Sequence, residues 1–149
     1  MNGNIARLLA TWFRIGDLPM APGTFASAVG LLIAVLFSPF KVAYIAVALT
    51  ITALGFMASG PAEKVIGKKD PGSIVIDEVA GIMIAFFLLP VRVDVLFVTF
   101  FLFRAFDMFK IYPVNEFEKY EAGVGIMMDD IIAGIYTNLI MHAALRLAA

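Results

Sequence analysis

The chain has 149 residues, enough for one domain, with a net charge of −1 and 62% hydrophobic residues. Soluble domains hold roughly 45–50% apolar residues, and the mean hydropathy here is +0.95, so a soluble globule of this size would expose much apolar surface. The near-neutral charge excludes a basic nucleic-acid footprint, and the lack of cysteine excludes disulfides, zinc–thiolate sites and a thiol nucleophile.

Residues 1–17 come first. Ile5, Leu8, Leu9, Trp12 and Phe13 follow a helical spacing opposite Arg7 and Arg14, which predicts an interfacial helix. Trp12, Arg14 and Asp17 interrupt any signal-peptide pattern. Leu18 to Phe40 and Val42 to Ala62 carry no charge and are long enough to cross a hydrocarbon core, which takes about 20 apolar residues as helix. Two shorter apolar stretches follow, Val79 to Val91 and Val95 to Phe103, separated by a turn at Pro90-Val-Arg-Val-Asp94. The last stretch, Ile131 to Leu145, becomes a full span if its helix starts at Asp129-Asp130. Its lone histidine, His142, reads as a packed or interfacial residue rather than a catalyst. The expectation is an all-α fold, a multi-span membrane-embedded helical bundle with an N-terminal interfacial helix, forming a single domain over residues 1–149.

Five crossings sort the charges. Arg7, Arg14, Lys64, Lys68, Lys69, Arg104, Lys110 and Lys119 fall on one side, against Lys41, Arg92 and Arg146 on the other. The positive-inside rule makes the first side cytoplasmic. Nearly all carboxylates fall on that side too; Asp94 is the exception. A short re-entrant pair in place of the two short spans leaves the loop assignment unchanged.

Three acidic clusters border the apolar helices. In Pro71-Gly-Ser-Ile-Val-Ile-Asp-Glu-Val-Ala-Gly81 and in Gly123-Val-Gly-Ile-Met-Met-Asp-Asp-Ile-Ile-Ala-Gly134, an acidic pair precedes an Ala-Gly step. A glycine one helical turn beyond the acid lets a neighbouring helix approach closely. In Phe103-Arg-Ala-Phe-Asp-Met-Phe-Lys110, Arg104, Asp107 and Lys110 lie three apart on one broad face, as local ion pairs or as part of a site. Taking a carboxylate out of water costs several kcal/mol even after relaxation. Two cations cannot offset Asp77, Glu78, Asp107, Asp129 and Asp130 together, so either protons or a cation must. Oxygen-only ligands point to a hard ion, Mg²⁺ first, then Mn²⁺ or Ca²⁺. Intramembrane acids mark ion sites or proton relays.

In the Pro22-Gly23 region, Thr24 reads as the N-cap of the next helix, whose free N–H groups suit an anion such as phosphate. Gly23 with Ser27 and Ala26 with Gly30 form small-xxx-small pairs. The chain has no GxxxxGKS/T, GxSxG or HExxH pattern.

The blocks Ala21-Pro-Gly-Thr-Phe-Ala-Ser27, Asp70 to Gly81, and Phe103 to Lys110 continuing to Gly134 give the chain its resemblance to the phosphatidylglycerophosphatase A family of bacteria. Order and spacing both fit. The resemblance implies a Mg²⁺-dependent integral enzyme of the bacterial inner membrane; with the spans and charges sorted as above, the expectation is a multi-pass protein with its active site facing the cytoplasm. Its reaction would be phosphomonoester hydrolysis of phosphatidylglycerol phosphate, a phospholipid substrate, to phosphatidylglycerol and inorganic phosphate. By carry-over, Asp77, Glu78, Asp129 and Asp130 are expected as metal ligands. Asp107, Asp129 and Asp130 are expected as catalytic residues, and Thr24, Ser27, Arg104 and Lys110 as phosphate-binding groups. Lys110-Ile-Tyr-Pro113 departs from the family's usual Lys-Pro-Trp-Pro. The competing expectation from the residues alone is a small carboxylate-lined ion or proton transporter. Nothing in the sequence implies a nucleic-acid partner or fixes an oligomeric state.

Overall fold

A computed structural model of the chain describes residues 1–110, 112 and 123–149. Pro113 and Lys119 lie outside the described residues. Among the latter there are six α-helices and no strand: α1 (Gly3–Ala10), α2 (Pro22–Phe37), α3 (Lys41–Ile66), α4 (Ile76–Phe86), α5 (Val93–Phe109) and α6 (Val124–Leu147). A single 3₁₀ turn, Ile15–Asp17, precedes α2.

Two helices, α3 and α6, are long and apolar enough to cross a membrane, with mean hydropathies of 1.9 and 1.4. At 1.5 Å per residue, α2 and α5 rise about 25 Å, and α4 only about 16 Å. The expected turn at Pro90–Asp94 falls in part on the non-helical stretch 87–92 between α4 and α5, with Val93 and Asp94 already in α5.

The short helix α4 sits at the centre, packed against α2, α3, α5 and α6, while α1 packs on α3. It crosses α6 at two glycines. A Cβ on Gly81 would stand 2.7 Å from the Asp130 carbonyl oxygen, and one on Gly134 would strike the Gly81 carbonyl. Backbone meets backbone there, as the two Ala-Gly steps led us to expect. Outward faces stay apolar and uncovered: Leu32, Leu36, Val42, Leu49 and Phe101 are 64–84% exposed. Only 28% of the most apolar stretch of α3 is buried against the rest of the chain.

Three sequence expectations shift. The N-terminal helix stops at Ala10 rather than running to residue 17. Trp12, Phe13 and Arg14 all take positive φ, and the reversal seats Gly16 against the Ser73 backbone and lets Val75 N donate to Ala10 O at 2.9 Å. Tertiary contact overrides the helical periodicity. Thr24 is not the N-cap of α2: Ala21, at φ 45°, holds that place, with Pro22 in the first turn. Proline fits the first turn because its missing N–H would be unpaired there anyway. Finally, α6 starts at Val124, about a turn and a half before the Asp pair, after Gly123 at φ 80°.

The end of α4 shows why so short a helix is stable. The last four carbonyls of a helix have no intrahelical partner. Here Tyr44 Oη donates to Met83 O at 2.5 Å, and Asn138 Nδ2 donates to Ala85 O and Phe87 O at 3.0 and 2.8 Å. His142 Nε2 lies 3.2 Å from Phe87 O. Backbone N–H groups of Phe87 and Leu89 serve Ile84 O and Phe86 O. Every carbonyl from Met83 to Phe87 is thereby satisfied, and a helix can end inside apolar surroundings.

Candidate active site

The opposite end of α4 carries Asp77 and Glu78 in its first turn. The N-terminus of α2, the C-terminus of α5 and the first half of α6 meet it there. Helix direction explains the convergence: α2, α4 and α6 begin at this end, and α3 and α5 finish at it.

Asp77, Glu78 and Asp130 come together, each offering one carboxylate oxygen within 4.8 Å of the others. Asp77 and Asp130 are 8% and 2% exposed, and the Glu78 side chain is 14% exposed. Asp107 is near enough for its charge to act on all three. Arg104 Nη1 ion-pairs with Asp107 and lies 3.8 Å from Glu78 Oε1. Gly23 of α2 is seated on this pair: a Cβ there would strike Glu78 Oε1 and stand 3.3 Å from Arg104 Nη1.

Asp129 points elsewhere. Adjacent residues on a helix diverge by about 100°, so the pair serves two neighbours. Asp130 turns toward α4, whereas Asp129 Oδ2 lies 3.4 Å from Lys110 Nζ on α5. Lys110 caps α5 in the left-handed conformation, at φ 44°, and its Nζ also lies 3.9 Å from Asp70 Oδ2. Sequence reasoning gave Asp70 no role: its link to Lys110 spans 40 residues, and no local pattern reports it. Ser27 is buried and its hydroxyl donates to Gly23 O at 2.8 Å. That bond ties it to its own helix. Thr24 is exposed on the first turn of α2.

The group fits a cation. Asp77 Oδ1, Glu78 Oε2 and Asp130 Oδ2 are buried without a hydrogen-bond partner among the described residues, and so is Arg104 Nε. Ionised carboxylates this close, out of water and unpaired, repel one another and lose solvation worth several kcal/mol each. A hard cation taking oxygen ligands, or protons, would satisfy them.

The family model described as Phosphatidylglycerophosphatase A matches residues 8–145. The chain belongs to the phosphatidylglycerophosphatase A family. Two relatives carry that same name. The protein of Haemophilus influenzae is 35% identical over 146 residues, covering 94% of this chain and 88% of its own length. The Escherichia coli K12 protein is 36% identical over 140 residues, covering 91% and 80%. A Bacteroides thetaiotaomicron relative, 32% identical over 147 residues and covering 92% and 91%, is provisionally named a phosphatidylinositol-3-phosphatase. No solved structure matches the chain. Membership in the phosphatidylglycerophosphatase A family agrees with the resemblance of the three sequence blocks.

Proposed function

We propose that the chain hydrolyses the phosphomonoester of phosphatidylglycerol phosphate to phosphatidylglycerol and inorganic phosphate. Family membership and the names of the H. influenzae and E. coli relatives support this reading. The observation that carries it is the set of buried, unpartnered carboxylate oxygens contributed by Asp77, Glu78 and Asp130.

In this reading those three residues hold a hard divalent cation, magnesium by first choice. A bound magnesium supplies charge neutralisation at the phosphoryl oxygens and a more acidic water. Arg104, anchored by Asp107 and Glu78, presents its unpartnered Nε–H to a phosphoryl oxygen. Such a preformed donor stabilises charge as it develops, without reorganisation at the moment of reaction. Asp107, held by Arg104, accepts the proton of the attacking water. Lys110, between Asp129 and Asp70, draws the anionic headgroup to the rim. Thr24, exposed at the start of α2, is a further phosphate contact, while Ser27 supports α2 from within. Asp129 acts by orienting Lys110.

The membrane reading rests on α3 and α6, on the exposed apolar faces, and on bacterial relatives. We place the chain in the bacterial inner membrane as a multi-pass protein. Its acidic end faces the cytoplasm, because Arg7, Arg14, Lys64, Lys68 and Lys69 accompany it while Lys41, Arg92 and Arg146 belong to the far end. No observation favours ion transport: the acids other than Asp94 stay at one end, and at the far end Asp94 pairs with Arg92 while Tyr44, Asn138 and His142 meet backbone carbonyls.

The test is phosphate release from phosphatidylglycerol phosphate in mixed micelles, with magnesium and with a chelator. Phosphatidic acid and phosphatidylinositol 3-phosphate serve as rival substrates. Release that needs magnesium and is fastest with phosphatidylglycerol phosphate supports the reading. Equal or faster release from phosphatidylinositol 3-phosphate would transfer the assignment to that lipid.

A further inference from the structure

A second polar cavity lies outside the carboxylate site. It has a volume of about 250 Å³ and is lined by Asn4, Arg7, Leu8, Thr11, Arg14 and Asp17. Two guanidinium groups share it with one carboxylate, Asp17, which ion-pairs with Arg7 at 3.3 Å. Arg14 has no ion-pair partner among the described residues. The charge of the cavity is thus one positive in excess, at the chain end where Lys64, Lys68 and Lys69 also gather.

The backbone around it is built for this. Trp12, Phe13 and Arg14 are three successive non-glycine residues with φ of 45°, 54° and 74°. Left-handed backbone at such residues persists only where the surroundings enforce it. Here Thr11 Oγ1 accepts from Arg14 N at 3.2 Å and Gly16 N donates to Thr11 O at 2.9 Å. The reversal brings Arg14 back beside Arg7, seven residues earlier. Leu8 of the lining is 42% exposed, and Ile5 and Phe13 of the same N-terminal segment are 53% and 61% exposed. Exposed apolar side chains beside paired arginines match a lipid interface, with acyl chains against the former and phosphate against the latter.

We propose that this cavity binds the phosphodiester headgroup of an anionic phospholipid, at a site separate from the carboxylates. The proposal rests on the membrane reading above, but needs no catalysis. Arg7 and Arg14 grip the phosphate, and Asn4 and Thr11 contribute polar contacts. The site bears on the catalytic end through one bond: Val75, two residues before Asp77, donates to Ala10 O. A lipid held there pins the segment against which the first turn of α4, with Asp77 and Glu78, rests.

Trp12, the sole tryptophan, directly follows Thr11 of the cavity lining and is the probe. The full chain is reconstituted in nanodiscs containing either phosphatidylglycerol or phosphatidylcholine with brominated acyl chains, at matched fractions. Stronger quenching of Trp12 by the anionic lipid is expected. Each of Arg7→Gln and Arg14→Gln is expected to weaken that preference about fivefold, and Arg7→Lys with Arg14→Lys to retain part of it. Inorganic phosphate at constant ionic strength is expected to leave the preference intact. Its loss under phosphate would overturn the lipid assignment in favour of a free-anion site. Equal quenching by both lipids in the unmodified chain would overturn the proposal while sparing the membrane reading. Absence of quenching by either would overturn both.

Discussion

The two ends of α4 present the same problem and solve it differently. At its C-terminus, polar backbone meets apolar surroundings, and Tyr44, Asn138 and His142 supply a partner for each orphan carbonyl that the backbone leaves. At its N-terminus, Asp77 and Glu78 meet Asp130, and buried oxygens of all three are left without one. Buried polar atoms are ordinarily satisfied. A matched cluster is therefore scaffold, and an unmatched one is a place where something else binds. In the proposed reading, the difference separates His142, a packing residue despite its chemistry, from Asp130, a site residue despite lying inside an apolar helix.

The comparison can be broken by substitution at either end. The largest effect is expected for Asp130→Asn, which should lower magnesium-dependent phosphate release about 10²–10³-fold. Metal-free thermal stability in detergent should not fall, because a repelling charge is gone. A loss of stability there would make Asp130 scaffold instead. Next comes Asn138→Ala, which strips a donor from Ala85 O and Phe87 O. It should cost about 1–3 kcal/mol in chemical denaturation and leave turnover per folded molecule unchanged.

Asp129→Asn is expected to be milder than Asp130→Asn. It should raise KM about tenfold through a less well oriented Lys110, a loss of roughly 1.4 kcal/mol, with kcat largely kept. Comparable kcat losses in the two variants would put both carboxylates in one role. The smallest effect belongs to His142→Ala: Phe87 O keeps its bond from Asn138, so denaturation should shift by about 1 kcal/mol or less, with no change in the pH profile of activity.

The helices were legible in the sequence because long apolar runs between charges leave few alternatives. The turn at Pro90–Asp94 announced itself through proline and paired charges. A close helix approach at Gly81 and at Gly134 followed from small residues one turn beyond acids, whereas their meeting each other did not. What stayed hidden depended on contacts distant in sequence. The helical spacing through Trp12 and Phe13 gave no sign that the backbone would reverse at Thr11 to seat Gly16 on Ser73. Tyr44 and Asn138 carry no local signature of a cap, since their carbonyls lie 39 to 53 residues away. The acidic pair at 129–130 could be recognised but not divided. Only the packing of α6 between α4 and α5 turns Asp130 toward Asp77 and Asp129 toward Lys110.

The central claim is that the unmatched carboxylates form a cation site. Manganese binding, followed by electron paramagnetic resonance on the full chain in detergent without substrate, tests it most directly. One saturable, magnesium-displaceable site is expected in the unmodified protein and in Asn138→Ala, and its loss is expected in Asp130→Asn. Undiminished manganese binding by Asp130→Asn, or the absence of any saturable site in the unmodified protein, would contradict the account.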